Sequence, residues 1–280
     1  MQNLVRQQLF KCKYNDYMKR ILQFLNLLTL LFTIGVNYFF NAGHHGSASV
    51  KEISARYDTL LTPSGYAFGI WGLVYLGLII FAVYQLWDLF KKNLDTGFVL
   101  KIGWWFIIAN LANAAWIFAF TTNQIGLSLI LIFLIFFALL KIMLNTNMER
   151  WDAPVPVIAF IWWPFSLYFG WINIALIVNV AAYLTAIGWN GGPLSPELWA
   201  ILMLLVAAVI FITMTWTRNM REYANVGVWG IVAIAVKNWN SHAAVAWVAL
   251  AVAIVIFINA SVHGYRNRAT APFAKRVNPI

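Results

Sequence analysis

Three groups of residues in this chain combine aromatic faces with amides at helical spacing. Phe68, Trp71 and Tyr75 step by three and four, so a helix places them on one face. Asn113, Trp116 and Phe120 repeat that spacing, with Asn110 beside them. Tyr168, Trp171, Ala175 and Asn179 form a third stripe, while Asn173 of the same segment points elsewhere. Such side chains are suited to binding. Indole and phenol rings stack on flat molecules, and an indole N–H needs a partner when buried. Amides in an apolar setting likewise need a neighbouring helix, water or a ligand. Two readings follow: an aromatic pocket with amide donors for a flat, amphipathic, poorly soluble ligand, or packing with structural hydrogen bonds between helices.

Bond-making chemistry finds less support. No Ser–His–acid set, phosphate loop or paired carboxylates are readable. His44, His45 and His242 fall on one side of the expected topology, but nothing in the sequence fixes them as metal ligands. The single cysteine, Cys12, precedes the first apolar run and supports neither a disulfide framework nor a Cys-rich metal centre. Asp88, Glu197 and Glu222 lie at the ends of predicted helices, and no acid falls mid-span, which argues against a carboxylate proton relay. Lys237 is the one base that enters a predicted span, from whose end it can snorkel outward.

The elements that must position these stripes follow from composition. Of the 280 residues 62% are hydrophobic and only 10% charged, too few charges to cover a water-soluble fold. Apolar runs such as 21–40, 125–144 and 198–217 have the length of a bilayer span, roughly 20 residues. Backbone groups in lipid must pair within the segment, so the runs are helices. The fold class is therefore all-α: a polytopic membrane bundle of about eight transmembrane helices. They are expected near 21–40, 64–87, 101–120, 124–144, 155–187, 198–217, 223–239 and 242–262. Pro164 predicts a kink or interfacial lead-in within the long fifth run. Gly65 and Gly69 open the second as a small-xxx-small pair suited to close helix contact.

Orientation comes from the basic residues. With the N-terminus in the cytoplasm, 16 of the 19 Lys and Arg fall on the inner side, which favours both termini there. The net charge of +10 resides in loops and tails, so nucleic acid is not an expected partner. The long outer loop 41–63 is a candidate lid over an outward-facing cavity or a plain linker. Of the 15 tryptophans, Trp87, Trp104, Trp105, Trp151, Trp189, Trp199, Trp216 and Trp239 suit interfacial anchoring. Trp71, Trp116, Trp162, Trp163, Trp171, Trp229 and Trp247 are left for the interior.

At the three stripes the sequence resembles the TspO/MBR family, the translocator or tryptophan-rich sensory proteins. The run from Thr62 to Tyr75, through Pro63, Phe68 and Trp71, resembles that family's entry into its second helix. Asn113-Ala114-Ala115-Trp116 with Phe120 is similar to its third-helix motif. Pro164 to Trp171, followed by Asn173 and Asn179, is similar to its fifth-helix region. The resemblance covers the first five helices and implies a longer, divergent branch. Its domains would be a basic cytoplasmic segment 1–20, a five-helix core 21–190, three added helices 191–262 and a basic tail 263–280. It further implies a hydrophobic small-molecule ligand of tetrapyrrole or sterol type, a homodimer, and a plasma-membrane sensor or carrier. A secondary transporter and a membrane enzyme acting on a porphyrin-like substrate are the alternatives. No resident cofactor is named. The expected ligand-binding residues are Phe68, Trp71, Tyr75, Asn110, Asn113, Trp116, Tyr168, Trp171, Asn173 and Asn179.

Overall fold

Helix is what a chain this apolar must form in lipid, and a computed structural model describing residues 2–41, 48–87 and 97–268 shows helices joined by short turns. No strand occurs among the described residues. The helices are α1 (Gln2–Asn41), α2 (Val50–Arg56), α3 (Ile70–Leu86), α4 (Gly97–Ile102), α5 (Trp105–Thr121), α6 (Ile125–Asn145), α7 (Val155–Val157), α8 (Trp163–Ala186), α9 (Pro196–Arg218), α10 (Arg221–Asn238) and α11 (Ala243–Arg266). A 3-10 turn, Gly65–Gly69, leads into α3, and a π turn, Ile158–Trp162, joins α7 to α8.

Among the described residues, six helices are long and apolar enough to cross a membrane, and α5 is a shorter apolar one. Helix α10 matches the seventh expected span, but Arg221, Glu222 and Lys237 sit at its ends. Large apolar side chains such as Leu28, Phe32, Ile130, Phe137 and Val209 stand exposed on the bundle's outside. In water that pattern would be a liability; in a bilayer it is the lipid-facing surface. The chain is an integral membrane protein.

Five helices close a ring, with contacts running α1–α3, α3–α8, α8–α6, α6–α5 and α5–α1. Helices α9 and α11 pack with α10, and α10 docks on α8. That docking is close because of Gly170: a Cβ there would lie 2.8 Å from the Tyr223 carbonyl oxygen. Backbone cannot yield as a side chain can, so any larger residue would push α10 away.

Three expectations about the elements need correction. Helix α1 begins at Gln2, not near residue 21. Residues 2–20 are mostly good helix formers with no Gly or Pro, so the helix continues past the apolar run. At 40 residues it measures about 60 Å, twice the hydrocarbon thickness. Gly65 and Gly69 lie in the 3-10 turn and not at a helix crossing: Gly69 has nothing within 4 Å of a would-be Cβ, and Gly65 meets only the Lys51 side chain. Trp247 is 60% exposed, its ring tilted against Trp239, and so belongs to the surface. The expected irregularity at Pro164 is present. Proline has no N–H for the carbonyl four residues back and its ring crowds it, and the chain widens into the π turn just before.

Candidate ligand-binding site

Inside the five-helix ring the three stripes meet. Trp71 of α3 stacks on Tyr75, with centroids 5.4 Å apart. It also faces Trp116 of α5 at 6.1 Å, and Tyr168 and Trp171 of α8 at 6.0 and 6.4 Å. Phe68 meets Trp171 edge-on at 6.2 Å, and Trp116 stacks on Phe120 at 5.4 Å. Helical period alone put each set on one face; the ring turns those faces toward one another. Below them Phe81, Phe106 and Phe165 touch mutually at 4.8–5.3 Å and fill the ring axis.

Asn113 holds the box together. Its amide nitrogen donates to the Tyr168 hydroxyl at 2.7 Å. Its oxygen accepts from Asn37 Nδ2 of α1 at 3.0 Å and from the Tyr75 hydroxyl at 3.4 Å. Asn37 was not among the expected residues. A signal for it existed: Gln23, Asn26, Thr29, Thr33 and Asn37 form a polar stripe at spacings of three and four along an otherwise apolar run, and all five are buried.

The other expected amides have separate partners. Asn110 is tied to α1, donating to Thr29 Oγ1 at 3.2 Å while its carbonyl accepts from Thr33 at 2.8 Å. Asn173 donates to the Phe169 carbonyl of its own helix at 2.8 Å. Neither is brought to the box. Asn179 does reach it, lining the cavity while its oxygen accepts from Ser128 at 3.2 Å.

Two donors in the box remain unused. The indole nitrogens of Trp116 and Trp171 are buried without a hydrogen-bond partner. Both residues border a cavity of about 30 Å³, which Trp71, Phe68 and Phe120 also line. That is room for a water and no more. Its roof is α2, which supplies Val50 and Ser54, with Pro63 beside it. Helix α2 lies in the loop expected as a lid and is started by a capping box: Ser49 Oγ accepts from the Glu52 amide at 3.2 Å, and Glu52 returns a bond to the Ser49 amide. His44 and His45 lie outside the described residues.

Helix α10 pins the chain between the roof and α3. Asn238 donates to the Leu60 carbonyl at 2.9 Å, Ser64 donates to the Ala233 carbonyl at 3.0 Å, and the Trp229 indole donates to the Ala67 carbonyl at 3.2 Å. Lys237 pairs with Asp58 at 2.7 Å, with both side chains well exposed, so that ion pair contributes little. Replacing Asn238 by Leu should strand the Leu60 carbonyl at a cost of about 1–3 kcal/mol. The expected readout is faster hydrogen exchange confined to 58–64. Unchanged exchange there would remove α10 as the anchor.

On its other side the 58–61 segment borders a second cavity, of about 910 Å³, between α8, α9 and α10. Leu176, Ile177 and Met203 form its apolar wall, with Trp189 and Trp199 near its mouth. Sequence reasoning missed it, because it depends on how far α8 and α9 stand apart.

Comparison with known proteins gives one family: that described as TSPO-like protein matches residues 23–262, from within α1 to within α11. No curated protein and no solved structure gives a match.

Proposed function

Because the chain belongs to the TSPO-like protein family, we propose that it binds a flat, hydrophobic, tetrapyrrole-like ligand in the aromatic box and acts as a sensor or carrier for it. One observation carries this reading: two buried indole N–H groups stand unpartnered beside a cavity walled by aromatic rings. Leaving such donors unpaired is costly unless something completes them. A ligand with a ring acceptor or a carbonyl between those rings would gain stacking and hydrogen bonds while losing water from both faces.

The box as it stands is too small for such a molecule, so the roof must move. Helix α2 has seven residues and packs chiefly on α5. Elements with so few neighbours open at low cost. The segment that follows is held by α10, which makes it the hinge and α2 the moving part. The phenylalanine layer beneath the box favours binding from the roof side over passage along the ring axis.

The test is quenching of tryptophan fluorescence by protoporphyrin, added to purified protein in mild detergent. Saturable quenching is expected. Its absence would overturn the reading. Uptake into reconstituted vesicles distinguishes a transporter from a binder. Both chain ends are proposed to face the cytoplasm at the plasma membrane. Reporter fusions at Met1 and Ile280 should report the same side; opposite sides would mean one helix too many or too few.

A further inference from the structure

At the end of the bundle opposite the roof lies a cavity unlike the other two. It measures about 800 Å³, and polar and charged groups, among them Glu149, Arg150, Asn219, Arg221, Glu222 and His263, share its lining with apolar ones. These come from the turn after α6, the junction of α9 with α10, and the last turn of α11. This is the level at which a bilayer's headgroups lie.

Arg221 lies near enough to Glu149 and Glu222 to attract both, yet polar atoms of this group remain unsatisfied. The Arg221 Nε and one Glu222 carboxyl oxygen are shielded from solvent and have no hydrogen-bond partner, and the same holds for one terminal nitrogen of Arg218. Lys237 and Asp58 pair at the other end of the molecule. Arg150 lies near enough to Arg218 for their charges to repel, and Glu149 near enough to Glu222. Three arginines and two glutamates are thus gathered, with Arg150 open to solvent and the others partly buried, and the unsatisfied polar atoms among them are costly to leave unpaired.

The backbone holds them there. Asn147 and Glu149 both have left-handed conformations, with φ of 48° and 60°. Glutamate rarely adopts that region, and strain of this kind is retained where the surroundings require it. The Arg221 guanidinium rests over Gly264 of α11, where a Cβ would come within 3.4 Å of Nη1. The small residue leaves the arginine its place.

We infer that this cavity is a second binding site, for a phosphate ester, with Arg150 and Arg221 as its anion partners. Guanidinium forks from separate elements suit a tetrahedral anion, which offers oxygens in several directions, better than a single carboxylate. Burial pushes the carboxyls of Glu149 and Glu222 up from their ordinary range. With its carboxyl pushed up to about 8, Glu149 keeps its proton near neutral pH and can donate to the anion. A lipid headgroup and a soluble phosphate ester share this chemistry. The inference does not rest on the aromatic box.

The experiment uses the whole protein in mild detergent, titrated calorimetrically with dihexanoyl phosphatidic acid, dihexanoylglycerol and glycerol 3-phosphate. Phosphatidic acid should bind saturably and dihexanoylglycerol should not. Glycerol 3-phosphate binding as well would identify a soluble ester as sufficient. Its failure beside phosphatidic acid binding would identify the lipid as the source. Arg221→Gln and Arg150→Gln should each weaken phosphatidic acid binding by about tenfold or more. Arg221→Lys should recover part of the loss, and Lys237→Gln, at the far end, should change nothing. Thermal melting of Arg221→Gln shows that the variant folds, and protoporphyrin quenching should survive the substitution. Equal binding of dihexanoylglycerol, or wild-type affinity in a folded Arg221→Gln protein, would overturn the inference.

Discussion

Trp116→Phe should weaken protoporphyrin binding and leave thermal stability nearly unchanged, whereas Asn113→Leu should lower stability sharply. Both residues are buried and belong to the same box, so the contrast rests on hydrogen bonding. The Trp116 indole N–H has no partner. Phenylalanine in its place keeps most of the apolar contact and removes a donor that was costing free energy. The lost area and the relieved donor act in opposite directions, so the net change in stability is small. A ligand that would have accepted from that indole loses about 1–3 kcal/mol. Asn113 is the reverse case, because its amide serves Asn37, Tyr75 and Tyr168. Leucine preserves volume but strands up to three buried polar groups, each worth about 1–3 kcal/mol. Thermal melting and fluorescence quenching on the same samples check both. Trp104→Phe should change neither, because Trp104 is half exposed at the bundle surface. If Trp116→Phe and Trp104→Phe bind alike, the box is packing and not a site.

The pair also marks what the sequence could and could not disclose. Period fixes which face of a helix a residue occupies, so Trp71, Trp116 and Trp171 could be grouped by counting. It does not say which neighbour that face meets. Asn110 and Asn113 lie three residues apart, yet one is tied along α1 and the other sits at the centre of the box. Asn173 shows a different limit, because its amide bonds to its own helix and has no need of a neighbour. Hydropathy found the eight long helices, since lipid demands apolar length. It was blind to the start of α1, where polar helix formers extend the element beyond the bilayer. The capping signal Ser49-x-x-Glu52 was present in the sequence and is what starts α2. Trp229 suited the interior by its place mid-helix, but it stands partly exposed and pins the turn before α3. The charged cavity was least legible, because its lining comes from turns and helix ends far apart in sequence. Glu222 read correctly as a helix-end acid, but nothing in the sequence brought Glu149 beside it.

That pair should make the protein less stable as pH rises from about 5 to about 9. Burial is the main cause holding the Glu149 carboxyl up, at about 8; the charge of Glu222 adds to it and Arg221 opposes it. Glu222 is raised for the same leading reason. An unfolded glutamate titrates near 4.3. The folded state therefore binds protons more tightly than the unfolded state, so its stability is fully present below about 4 and is lost as pH climbs through 8. The loss attributable to Glu149 is about 2–5 kcal/mol. Arg150, Arg218, Arg221, Asp152 and His263 are the other charged or titratable groups about this cavity. Glu149→Gln keeps the shape and a hydrogen-bond donor without a titrating proton. It should flatten the melting temperature between pH 5 and 9 and raise it at the alkaline end, while His263→Asn should leave the Glu149 component in place. Ionised Glu149 would also stand beside any bound phosphate. Phosphatidic acid affinity should accordingly fall as pH passes 8 in the wild type and stay level in Glu149→Gln. A wild-type melting temperature that rises with pH over this range would mean that the carboxyl is ionised in the folded protein. The positive charge assigned to the cavity would then be cancelled from within.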